Sequence, residues 1–232
     1  MMNPIEPPSG SVTDRVAAAI TDAIIEHRLA AGTKLVEQNL ATMFGVSRTI
    51  VRQALIRLER ARLIKLEPAK GASVAMPSVK ETRQIFTTRR YIEIPMITEF
   101  ARTATKANIK LLRMHLNAEQ KACLQADVHG RTRMLADFHV LIAQIMGNTV
   151  LEEVLSQLVS RTSLAAMLYQ TRLSAEHSSD EHVELLDAIE SKNVELAAQI
   201  MTKHLNNVEA SLNLDASLTD MRLALMPLNA TH

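Results

Sequence analysis

Three histidines in this 232-residue sequence are of a type and spacing that could bind a metal ion. His139 shares a helical-period stripe with Leu135, Ile142 and Met146, and His182 shares one with Leu185, Leu186 and Ile189. His204 continues Leu196 and Ile200 at four-residue steps. At that spacing each imidazole points to the apolar side of its own helix. Three neutral imidazoles converging in a bundle core make a ligand set for a divalent cation, Zn²⁺ first, with Ni²⁺ or Mn²⁺ as alternatives. A hydrolase would also need a carboxylate base beside the ion, and no Asp or Glu stands on the three stripes, so the expectation is a protein that is not an enzyme. Arg89 precedes Glu93 by four residues. It either pairs with Glu93 on the helix surface or reaches an anion bound at the metal. Arg161 reads as half of a surface ion pair. His27, His115, His129, His177 and His232 belong to no constellation and read as solvated.

A second chemistry lies upstream. Residues 37–76 hold seven Lys/Arg against three acids, whereas residues 77–232 hold sixteen against eighteen. A basic block joined to a mildly acidic remainder suits a polyanion-binding module attached to something else. Within the block, Ser47 is a good helix cap, and Val51, Ala54, Leu55 and Leu58 form an apolar stripe. Arg48, Thr49, Arg52 and Gln53 fall on the other side, within the first turns. Arg48 and Arg52 can grip guanine O6/N7 or phosphate, Gln53 can read adenine, and Ser47 and Thr49 add hydroxyls at a helix N-terminus.

The elements that must hold these residues follow from periodicity and punctuation. Pro4, Pro7, Pro8 and Gly10 make residues 1–11 a disordered tail. Helices are predicted from Val12 towards Ala31-Gly32, over Val36–Phe44 with Leu40 and Phe44 inward, and after Ser47. Ile64–Glu67 and Ala72–Ala75, joined by Pro68-Ala69-Lys70-Gly71, form a β-hairpin whose tip presents Lys70 and Gly71. Three helices and a hairpin over 12–76 describe a winged helix-turn-helix for double-stranded DNA. After a linker at 77–78, residues 79–232 are all-helical. Stretches at 79–105, 108–125, 130–147, 149–172, 180–191 and 193–213 make a six-helix bundle, with a seventh short helix open over 214–232.

Composition agrees with a mainly α chain. Aromatics are 3%, Trp is absent and only six Gly occur, which disfavours β-sandwiches and glycine-rich phosphate loops. The single cysteine, Cys123, rules out an internal disulfide. Neither a signal peptide nor a membrane span is evident, so the expected location is cytoplasmic.

The run Ala31-Gly32-Thr33-Lys34-Leu35, Leu40-Ala41, Phe44-Gly45-Val46-Ser47-Arg48-Thr49, Val51-Arg52-Gln53-Ala54-Leu55 and Leu58-Glu59 resembles the GntR family of bacterial transcription regulators. The remainder is similar in layout to its FadR-like branch, with an FCD-type C-terminal domain. Arg89-x-x-Ile92-Glu93, Phe138-His139, Gly147-Asn148, Glu181-His182 and His204 fall at that type's characteristic positions. The resemblance implies a homodimer on a palindromic operator, a repressor by default, and a small effector, an organic acid, bound at Arg89, His139, His182 and His204. Several relatives carry a DNA-contacting arginine where this chain has Gln38. Leu135 stands where metal-binding members usually have an Asp, leaving at most three protein ligands. Two competing readings stand beside it, a metal-dependent hydrolase using His139, His182 and His204, and a DNA-binding protein with a filled bundle and no effector.

Overall fold

The computed structural model describes residues 10–124, 128–169 and 175–214. Most of the expected tail and all but the first residue of the open stretch 214–232 lie outside them. The described fold is a winged helix with a small antiparallel sheet, followed by a helical bundle.

Helix α1 (Val12–Ile25) begins on a capping box, Ser11 accepting from the Asp14 amide while Asp14 accepts from the Ser11 amide. A two-residue strand β1 (Lys34–Leu35) leads into α2 (Glu37–Phe44), which Gly45 ends at φ 63°. Helix α3 (Arg48–Arg60) starts where Ser47 Oγ accepts from Ile50 N at 3.3 Å. Its stripe of Val51, Ala54, Leu55 and Leu58 is buried against Val16, Ile20 and Ile24 of α1. Strands β2 (Ile64–Glu67) and β3 (Gly71–Val74) form the hairpin, Glu67 facing Gly71 across its end.

Three expectations need correction in this half. Helix α1 ends at Ile25 and does not run on towards Ala31-Gly32, because the chain turns at His27, which has φ 57°. The hairpin gains a third strand, β1, on the outer side of β3, in the order β1-β3-β2. Two residues are too few to show an alternating pattern. Phe44 is not inward but 36% exposed, because α2 stops at Gly45 before a second apolar turn can cover it.

The bundle comprises α4 (Val79–Thr103), α5 (Lys106–Leu124), α6 (Val128–Ile145), α7 (Thr149–Tyr169), α8 (Ala175–Glu190) and α9 (Val194–Ala210). Its core joins Ile97 and Phe100 of α4, Leu112 and Leu116 of α5, Phe138 and Ile142 of α6, and Leu185 and Ile189 of α8. Each such side chain contributes about 1.5–3 kcal/mol on burial. Helix α8 starts five residues earlier than its apolar stripe suggests, since the polar segment before Asp180 is helical from Ala175.

The two halves touch. Ile25, at the end of α1, packs on Ala136 of α6 and Val159 of α7. Arg133 reaches Asp22 at 2.6 Å and Glu26 at 3.5 Å, besides Asp137 on its own helix at 3.0 Å. Leu164 of α7, fully buried, joins the core of the winged helix.

Candidate metal centre and nucleic-acid interface

Helices α6, α8 and α9 bring His139, His182 and His204 together, each at most 3% exposed, with one ligand nitrogen from each lying within 4.8 Å of the others. The Nε2 atoms of His139 and His204 are 3.3 Å apart. Two nitrogens on one tetrahedral Zn²⁺, each about 2.0–2.1 Å from it, would stand roughly 3.4 Å apart. His182 Nε2 is buried with no hydrogen-bond partner. Phe138 stacks on the His182 ring at 4.1 Å between centroids and fixes its plane.

The opposite ring nitrogens face carboxylates. His139 Nδ1 lies 2.6 Å from Glu93 of α4, His182 Nδ1 lies 3.1 Å from Glu119 of α5, and His204 Nδ1 lies 2.9 Å from Glu181 of α8. For His182 and His204 the carboxylate accepts from Nδ1, which holds the proton there and turns the Nε2 lone pair towards the common centre, while His139 Nδ1 approaches Glu93 without hydrogen-bond alignment. The residues therefore fit a divalent cation through three imidazoles. Sequence reasoning missed these acids by searching only the histidine stripes. The signal for Glu119 was an acid aligned with Leu112 and Leu116 on a buried face, and for Glu181 its adjacency to His182.

Electrostatics follow from burial. Desolvation pushes His139 down to about 3, despite Glu93, and holds His182 well below the ordinary imidazole range. Burial raises Glu119 to about 7. Burial alone would raise Glu93 too, but the charges of Arg89 and His139 outweigh it and hold this carboxyl well below the usual carboxylate range. With metal chelated, unfolded imidazoles take up protons below about pH 6.5 that the folded His139 and His182 refuse, so stability falls with pH. Glu119 works the other way, since the fold keeps a proton that the unfolded chain releases above about pH 4.3. His27, which burial also lowers, adds to the histidine side, so three imidazoles stand against one carboxyl and stability falls as the pH drops from about 6.5 towards 4.5. Urea midpoints measured by circular dichroism at pH 7, 6 and 5 check this, and a flat profile would refute buried neutral imidazoles.

Arg89 does pair with Glu93, but inside the bundle rather than on its surface. Nε donates to Oε1 at 2.5 Å and an Nη to Oε2 at 3.4 Å, with both side chains at most 3% exposed. Another Nη donates to Thr162 at 3.4 Å. Arg161 pairs with Glu81 at 2.7 Å. A cavity of about 160 Å³ opens beside the histidines, lined also by Arg89, Arg131, Leu135, Val159, Ser163 and, from the winged helix, His27. His27 and His115 correct the reading of both as solvated. His27, in a left-handed turn at φ 57°, donates from Nε2 to Ser163 O at 3.1 Å. His115 is half-hidden on Met134 O. His129 is exposed and meets Glu26 O, while the His177 side chain and His232 lie outside the described residues.

On the other half, Gln38, Arg48, Arg52, Lys70 and Gly71 surround one groove of about 950 Å³ between α3 and the hairpin tip. The Arg48 and Arg52 side chains are 65% and 70% exposed, and both lean on Glu37, at 3.5 and 3.1 Å. Such exposed pairs are worth at most about 1 kcal/mol, so phosphate can displace them. Thr49 is exposed beside them. Gln53 instead accepts from Thr13 at 3.3 Å, so its carbonyl is turned to α1. Lys70 lies 3.9 Å from Glu67, beside Gly71 at φ 83°.

Residues 12–74 match the bacterial regulatory proteins of the gntR family, and residues 84–207 match the FCD domain. The chain belongs to the GntR family, with an FCD domain. It is 29% identical over 218 residues to the Uxu operon regulator of Haemophilus influenzae, covering 85% of this chain and 80% of that protein. The HTH-type transcriptional repressor RspR of Escherichia coli K12 is 23% identical, with 91% of each covered. In fold, E. coli McbR/YncC aligns over 90% of this chain and all of that one, with TM-score 0.80 at 21% identity. This GntR-family chain is thus a transcription regulator and not an enzyme, which removes the hydrolase reading. No helix among its described residues is long and apolar enough to cross a membrane.

Proposed function

We propose that this regulator is a cytoplasmic, homodimeric repressor that binds a palindromic operator through its winged helix and releases it when a small organic acid enters the bundle cavity. The observation that carries the reading is the three-imidazole cluster opening into a cavity that the winged helix itself helps to line. A bundle serving only as a dimer scaffold would have no use for it. Arg48 and Arg52 hold phosphate or guanine edges, with Lys70 on the adjacent backbone; Ser47, Thr49 and Gln38 add polar contacts, and Gln53 supports α3 from α1. His139, His182 and His204 would hold a divalent cation, Zn²⁺ foremost, which when bound would supply a Lewis-acidic seat for an effector oxygen. Glu119 and Glu181 orient His182 and His204, Glu93 stands beside His139, and Phe138 excludes water from one side. Effector binding shifts the operator equilibrium by its difference in affinity between the two arrangements of the halves.

Arg52→Ala should weaken operator binding by about 1–3 kcal/mol and flatten its dependence on salt. Fluorescence anisotropy with a labelled operator duplex measures both; an unchanged affinity would remove α3 from the interface.

A further inference from the structure

The cavity has two poles. Arg131, Leu135 and His139 follow at four-residue steps on α6, so they share one stripe, with about 12 Å between the first and last Cα. All three line the cavity. Arg89, the other Arg or Lys on its wall among the described residues, is already engaged by Glu93 and Thr162. Arg131 has no carboxylate partner among the described residues, and its Nε is buried without a hydrogen bond. A half-buried guanidinium in that state is costly unless an acceptor meets it. Between the poles the wall is apolar, from Leu135, Ala136 and Val159. His27 closes the lining from the winged helix, held on Ser163 O.

From this geometry we infer that the effector is a short organic dianion, one charged end on Arg131 and the other at the histidine pole, its body touching His27. The inference rests on the cavity being the effector site. A ligand with one charged end satisfies one pole and leaves the other unmet. A ligand with an apolar spacer between two carboxylates meets both and matches the wall between them. A volume of about 160 Å³ restricts it to small-metabolite size. Because His27 belongs to the winged helix, such a ligand contacts both halves at once. Its binding energy then acts directly on their relative placement.

The test uses the full-length protein loaded with zinc, titrated calorimetrically with succinate, glutarate and adipate, and with butyrate as the one-ended counterpart. At least one diacid should bind tenfold or more tighter than butyrate. Arg131→Gln should erase that preference, and Arg131→Lys should keep part of it. The preferred diacid should also change operator affinity at least fivefold in the wild type, and less than twofold in His27→Ala. Equal binding of butyrate and the diacids, or a preference that survives Arg131→Gln, overturns the inference. No diacid binding to a protein that does hold zinc also overturns it, while leaving the cavity's assignment standing. Failure of the wild type to take up zinc would bring down that assignment and the inference with it.

Discussion

Replacing Glu93 with alanine will lower the melting temperature by roughly 6–20 °C, the equivalent of about 3–5 kcal/mol in a chain of this size. Glu93 is fully buried and serves two partners, the Arg89 guanidinium at 2.5 Å and His139 Nδ1 at 2.6 Å. Removing it leaves a cation inside the bundle with Thr162, at 3.4 Å, as its one remaining acceptor among the described residues. Losing one member of a buried pair costs far more than losing both, because the penalty is that of the stranded charge. Arg89→Met combined with Glu93→Leu should therefore recover much of the loss. Thermal denaturation followed by circular dichroism in the presence of a chelator gives the comparison. A single variant that melts within 2 °C of wild type would show that the pair does not carry this charge.

His182→Ala will abolish zinc uptake. Its Nε2 is buried without a hydrogen-bond partner, and three imidazoles are all the cluster offers among the described residues. Two remaining ligands make a poor tetrahedral site. Wild-type protein dialysed against zinc and then desalted should hold about one equivalent per chain by elemental analysis, and the variant should hold background levels. Glu119→Gln keeps all three ligands but weakens the acceptor on His182 Nδ1, so its zinc affinity should fall about 10–100-fold. Equal zinc in wild type and His182→Ala would place the metal elsewhere or nowhere.

Much of the architecture was legible because helices announce themselves by period and caps. Ser47, Ser78 and Asn193 each accept a hydrogen bond from the third residue of the helix they precede, as their types and positions suggest. The three histidines were readable for the same reason, each being a polar residue on an otherwise apolar stripe. What periodicity cannot carry is which face meets which. Glu93, Glu119 and Glu181 reach the imidazoles from α4, α5 and α8, and two of those approaches cross between helices far apart in the chain. Only packing decides them. Arg89 shows the same limit, since four-residue spacing to Glu93 fits a solvated pair as well as the buried one observed. His27 falls within the stretch that reads as helix and solvated, and becomes part of a cavity only because α1 ends at Ile25 and α7 arrives 136 residues later.

Leu164 has a consequence for how such regulators can be assembled from parts. It sits on a bundle helix, yet its side chain completes the packing of the winged helix. A sensor transplanted onto this reading head must bring an apolar group of similar size to that spot, or leave a void costing about 2–5 kcal/mol. A chimera that ignores this contact would be penalised in its DNA-reading half although every residue of that half is native.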